Sequence, residues 1–295
     1  MRSKVSTPGT TVVMVGCLLA SVPLARASII YDVQLPQALY GNLDQRHVPG
    51  IGNIACAPTS CINSFVYLQN AYAGTYDNLL VPQQGSDLNG DQIVDQYDDM
   101  IAACLVLAGQ PYMRTGTTGA GTWIRDIVWG KDLYVNAFAP GTTVFSGMLV
   151  PLGQYNPTTN PGGWTAERPP AAWVTETAPT WRFLYNELQA GEDVEIAVSC
   201  EEFGHCLTLT SFHWEDDDED GFIDQTETAW IDYIDPWGGI PGQSNVWESG
   251  GMLETDYGSN AFITMALSES IPEPATVALL GLTLVIVARR SARRP

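Results

Sequence analysis

Gly204-His205-Cys206-Leu207-Thr208-Leu209-Thr210 is the stretch on which the reading of this chain turns. Apolar and polar residues alternate with a period of two, which predicts a half-buried strand with His205 near its start. Upstream, Trp181, Leu184 and Leu188 share one face of a helix over 180–191, and Gly191 stops it. Val194, Ile196 and Val198 then alternate as a second strand. Downstream, Trp230–Ile234 reads as a further strand that ends in Asp235-Pro236-Trp237-Gly238-Gly239. Far upstream, Gly52-Asn53-Ile54-Ala55-Cys56-Ala57-Pro58-Thr59-Ser60 opens a helix, with Pro58 in its first turn and Ile62, Phe65 and Val66 at helical spacing. The predicted class is α+β.

Cys56 at a helix N-terminus is suited to thiolate chemistry, because unpaired N–H groups and the helix dipole favour the anion. A structural cysteine fits the same place. A reactive one needs an imidazole and a group that orients it, and three histidines are available: His47, His205 and His213. His47 and His213 read as surface or strand residues. No Cys/His cluster has zinc-ligand spacing.

The order of helical Cys56, strand His205 and strand-terminal Asp235 resembles papain-like cysteine peptidases. The likeness is to the bacteriocin-leader peptidase branch, with its Cys-Gly-Pro-x-Ser, Gly-His and Asp-Pro signatures. Asn63, seven residues after the cysteine, also resembles the immunoglobulin-cleaving streptococcal peptidases. The resemblance covers residues 52–72 and 180–239 and implies a papain-like fold. It further implies Cys56 as nucleophile, His205 as base and then acid, and Asp235 as the residue fixing the imidazole. The chain departs from the pattern at Ala57, where Gly is expected. Gly50 stands where the oxyanion glutamine is expected, and Gln45, Arg46 and Asn53 are the candidate replacements.

The whole chain of 295 residues carries a formal charge of −20. Within residues 28–270, six basic residues face 32 acids, which excludes a nucleic-acid partner. Apolar residues make up 45% of the chain, too many for a disordered acidic protein. The remaining basic residues lie mainly at the ends. Residues 1–27 read as a secretory signal peptide: a basic start, the apolar run 12–24, and Ala25-Arg26-Ala27. Ile271-Pro272-Glu273-Pro274, an apolar run over 275–288 and Arg289-Arg290-Ser291-Ala292-Arg293-Arg294 resemble the PEP-CTERM sorting signal of Gram-negative bacteria. That resemblance implies a transient transmembrane helix at 275–288, processing by an exosortase, and delivery to the envelope or an extracellular polysaccharide matrix.

Two acidic loops suit calcium. Asp87, Asn89, Asp91, the Ile93 carbonyl, Asp95 and Asp98 follow EF-hand spacing over 87–98, and the helix Asp98–Leu107 after them resembles a dockerin half. Asp216, Asp218, Asp220, the Phe222 carbonyl, Asp224 and Glu227 repeat the pattern over 216–227, with Gly221 at the turn position where the first loop has Gln92. Val94 and Ile223 are expected to pack inward. Five cysteines remain after the leader. Cys200 and Cys206 flank a turn, and Cys61 and Cys104 lie in helical patterns, so 200–206 and 61–104 are the candidate disulfides, with connectivity open. Residues 150–180, rich in Pro, Gly and Thr around Trp164 and Trp173, read as a long irregular insertion.

The functional expectation is an exported, calcium-stabilised cysteine peptidase acting on peptide or protein. The alternative is a non-catalytic calcium-binding surface or matrix protein.

Overall fold

The computed structural model describes residues 28–116, 121–151, 168, 170–201 and 203–271. In chain order these form β1 (Ile29–Gln34), α1 (Cys56–Ala71), α2 (Ala73–Tyr76), α3 (Gln96–Ala108), α4 (Ile124–Phe138), β2 (Val144–Leu149) and β3 (Val174–Thr175). There follow α5 (Trp181–Gln189), β4 (Asp193–Ser199), β5 (Gly204–Asp216), β6 (Thr228–Asp235), β7 (Ile240–Ser249), β8 (Met252–Thr255) and β9 (Ala261–Ser270).

The papain-like α+β fold implied by the motif order is not what the chain forms. Strands β5, β6, β7, β8 and β9 pair in sequence, and β4 pairs antiparallel with both β5 and β9, closing a six-stranded antiparallel barrel. Closure leaves no free edge among the six strands. The motif-bearing residues stop at 239, before β7, β8 and β9 supply half of the barrel. Outside the ring, β1 pairs with the far half of β5, β2 with β9, and β3 runs parallel to β2.

Helices form the smaller layer. All residues of α1 from Ala57 to Gln69 are buried, so this helix is a core element rather than an amphipathic surface one. Two of its polar residues find partners inside: Ser60 Oγ meets Thr208 Oγ1 at 3.0 Å, and Asn63 Oδ1 accepts from Leu43 N at 2.8 Å. The Ser60 contact lays α1 across β5. The predicted helices over 180–191 and after Asp98 correspond to α5 and α3. In α5, Trp181 Nε1 donates to Gly221 O at 3.2 Å, and its ring meets Tyr31 and Trp214 edge-on. The 150–180 segment lies largely outside the described residues, as do the leader 1–27 and the run 275–288. Among the described residues, no helix is long and apolar enough to cross a membrane.

Neither expected disulfide is present: all five described cysteines are free. Cys206 stands opposite Ala197 in the β4–β5 ladder, three residues from Cys200. That offset is about 10 Å along a strand, beyond disulfide reach. Cys200 Sγ instead donates to Phe203 O at 3.2 Å. Cys104 Sγ meets Thr59 Oγ1 at 3.5 Å. Cys61, two residues further along α1, is turned about 200° away and faces the Glu195 and Lys131 charges.

Candidate functional site

The barrel and α1 bring the three expected catalytic positions together. Cys56 is the first residue of α1, His205 the second of β5 and Asp235 the last of β6. β5 and β6 are antiparallel neighbours, so the start of one meets the end of the other. His205 Nε2 lies 2.8 Å from Asp235 Oδ1, which leaves Nδ1 as the ring nitrogen available to the Cys56 sulfur on the same cavity. Asp235 Oδ1 also accepts from Trp237 N at 2.7 Å, and Oδ2 accepts from Tyr257 Oη at 2.9 Å. The turn behind Asp235 requires glycine: a Cβ on Gly239, at φ +63°, would lie 2.0 Å from Asn42 O.

The electrostatics favour a thiolate–imidazolium pair. A hydrogen bond from the Cys206 thiol, followed by the bond to His205, holds Cys56 well below the usual thiol range despite desolvation. Burial opposes charge on His205, but Asp235 and Cys56 together push it up to about 10. Burial likewise works to raise Asp235, but the bond to and charge of His205, with the Trp237 N and Tyr257 Oη donors, together outweigh it and leave the carboxyl below its ordinary value. Cys206, next to the thiolate, is pushed far up by that hydrogen bond and by burial.

Cys56, His205 and Asp235 face a cavity of about 560 Å³. Its walls are largely apolar, with Ile54, Ile124, Ile127 and Val198, and the exposed rings of Phe203 and Trp237 also line it. Both Gln45 and Asn53 line it as well. Gln45 is buried, and its Nε2 donates to Gly52 O at 2.8 Å. Its second Nε2 hydrogen is not used by that bond. Arg46 is instead tied by its guanidinium to Asp44 at 2.6 Å. The first amides of α1 have no acceptor within the helix and open at Cys56.

Sequence reasoning missed Tyr257, Phe203 and the role of Cys206. Tyr257 comes from the β8–β9 turn, where Asp256-Tyr257-Gly258 carries no recognisable signal. Cys206 is visible in the sequence as the neighbour of His205, but the turn between it and Cys200 points to a candidate disulfide instead. Also missed was a buried charge cluster in which Lys131 Nζ contacts Glu195 and Glu269, with Asp193 at 4.0 Å. His47 and His213 lie outside the cavity lining. His213 stacks on Trp230 at 3.7 Å and bonds Asp32, and His47 bonds Tyr97.

The two acidic loops differ. In the second, Asp216, Asp218 and Asp220 bring carboxylate oxygens within 4.8 Å of one another. Asp216 is buried and its Oδ1 has no hydrogen-bond partner, an orphan that a hard cation would satisfy. Gly221 N donates to Asp216 Oδ2 at 3.3 Å, and Ile223 packs inward as expected. Glu227 is taken up by Trp214 Nε1, Asp217 N and Asp224 N. In the first loop, Asp98 is buried and accepts from the amides of Leu88, Asn89 and Asp95, completing a capping box with Asp95 at the start of α3. Asp87 accepts from Gly90 N and Gln92 N, and Gln92 takes the left-handed conformation, φ +71°, in the place a glycine would fill. Val94 is exposed here rather than packed inward.

Residues 270–294 match the PEP-CTERM protein-sorting motif. That signal marks an exported, envelope-associated protein whose tail is processed by an exosortase. No match was found among curated proteins.

Proposed function

We propose that this chain is an exported cysteine hydrolase that cleaves amide bonds, with peptides or proteins as substrates. The observation that carries the reading is that Cys56 lines one cavity with the hydrogen-bonded pair His205–Asp235, and that the imidazole favours its thiolate. The Cys56 thiolate attacks the amide carbonyl carbon, and the developing oxyanion faces the amide N–H of Cys56, with Gln45 or Asn53 as side-chain donor. The His205 imidazolium gives its proton to the leaving nitrogen, so the C–N bond breaks and a thioester forms on Cys56. Water then attacks the thioester while His205 takes its proton, releasing the carboxylic acid and restoring Cys56. Asp235 holds the imidazole in register and balances its charge.

Calcium completes this reading. The loop 216–227 joins the strand that bears His205 to the strand that ends at Asp235, so a cation on Asp216, Asp218 and Asp220 would fix the far end of that hairpin. The loop 87–98 is the second, weaker candidate, since turn and cap amides already use its oxygens. Extracellular polysaccharide remains a partner proposed from the sorting signal alone.

An activated ester of an apolar amino acid tests the reaction. The reading expects a burst of released alcohol and a hydroxylamine-sensitive acyl adduct on Cys56, both lost in Cys56→Ser. Absence of any adduct in the wild-type protein would favour a non-catalytic calcium-binding matrix protein.

A further inference from the structure

Tyr257 is not part of any motif, yet it touches two of the three proposed catalytic residues. Its hydroxyl donates to Asp235 Oδ2 at 2.9 Å, and its ring stacks on the His205 imidazole with centroids 5.7 Å apart and planes at 11°. Two further rings hold it there. Tyr233 meets it edge-on at 5.7 Å, and Phe203 lies edge-on to both Tyr257 and His205, at 6.5 and 6.4 Å. The β8–β9 turn carries it over the site, with Tyr257 N donating to Thr255 Oγ1 at 3.3 Å.

Each carboxylate oxygen of Asp235 thus has its own task. Oδ1 meets His205 Nε2 and Trp237 N, and Oδ2 meets only Tyr257 among the bonds described. A carboxylate with one oxygen free in a partly buried site can rotate about χ2, and rotation would take Oδ1 off the imidazole. The aromatic face on His205 restricts the ring in the same way and keeps water from one side of it.

We propose that Tyr257 is the positioning residue of this site, its hydroxyl aiming Asp235 at His205 and its ring holding the imidazole plane. The proposal rests on the reading of Cys56 and His205 as nucleophile and base. Burial and the neighbouring Asp235 charge hold the phenol far above its ordinary value, so it stays a donor across the working pH range.

Tyr257→Phe separates the two contributions, because it keeps the stack and removes only the hydroxyl. Two readouts apply to the full exported chain. The first is the iodoacetamide rate at Cys56 as a function of pH. Tyr257→Phe should slow it about tenfold at neutral pH, as expected for losing one hydrogen bond to a charged group, and should move the acid limb upward, since Asp235 loses a donor that keeps it ionised. The second is the downfield proton resonance of His205 Nε2–H bonded to Asp235, which Tyr257→Phe should shift or broaden with the melting temperature nearly unchanged. Tyr257→Ala should add loss of the stack to both effects. An unchanged pH profile together with an unchanged Nε2–H resonance in Tyr257→Phe would overturn the assignment. If wild-type Cys56 labels slowly and ignores His205→Ala, the nucleophile reading fails by itself, and the resonance still decides whether Tyr257 positions Asp235 and His205.

Discussion

Lys131 shows what a single side chain can decide in this molecule. It is buried completely, with Glu195 and Glu269 on its ammonium and Asp193 beyond them, and several carboxylate oxygens of the three acids have no other partner. One cation therefore serves three buried acids. Replacing it with an apolar isostere leaves the acids uncompensated, so Lys131→Met should cost about 3–5 kcal/mol in denaturant unfolding. A loss below 1 kcal/mol would show that the cluster is already neutral through shared protons. Gly239 carries a second constraint of this kind. Gly239→Ala must displace the Asn42–Leu43 backbone, and residue 45 is tied by Gln45 N to Pro236 O at 2.8 Å. The variant should therefore lose both stability and Cys56 reactivity, readable by melting and by alkylation of the same sample.

Among elements, the β5–β6 hairpin does the most for the site. One end holds His205 and Asp235, and the other holds the acidic loop with the orphaned Asp216 oxygen. Calcium should raise the melting temperature, a chelator should lower it, and Asp216→Asn should abolish the response. A melting temperature indifferent to both calcium and chelator would remove the cation from the account. The hairpin's strands were legible in the sequence, since Leu207 and Leu209 alternate with polar neighbours and Gly238-Gly239 punctuate the chain just after Asp235. α1 was legible too, because Pro58 and the Ile62–Phe65–Val66 spacing declare a helix. The barrel was not. Its closure depends on β4 finding both β5 and β9, and pairing across about 70 residues leaves no local mark. Local turn cues likewise suggested a 200–206 disulfide that the strand register forbids.

Across the whole molecule, net acidity and buried charge set the response to pH. Asp193 and Glu195 are pushed up to about 7, chiefly by burial. Such carboxylates bind more protons folded than unfolded, so their burial is tolerated below their ordinary values and its penalty grows as pH rises through about 7. Asp235, Asp44 and Asp98 act in the opposite sense: held low, they stabilise above the ordinary carboxylate range and lose that contribution as pH falls. Stability should therefore peak on the mildly acidic side and decline toward neutral pH. Glu269→Gln should flatten the decline between about pH 5 and 8. A neutral-side slope that the substitution leaves intact would place its origin outside the Lys131 cluster.

The central claim is that Cys56 is a thiolate nucleophile maintained by His205, and its alkylation rate near neutral pH measures this most directly. An ordinary thiol is only a few per cent ionised there, and the more basic thiolate recovers part of the deficit in intrinsic reactivity. The account predicts that wild-type Cys56 reacts first among the five cysteines, down to mildly acidic pH, and that His205→Ala slows it roughly tenfold at neutral pH. Labelling of Cys56 at the rate of a free thiol, unaffected by His205→Ala, would contradict it.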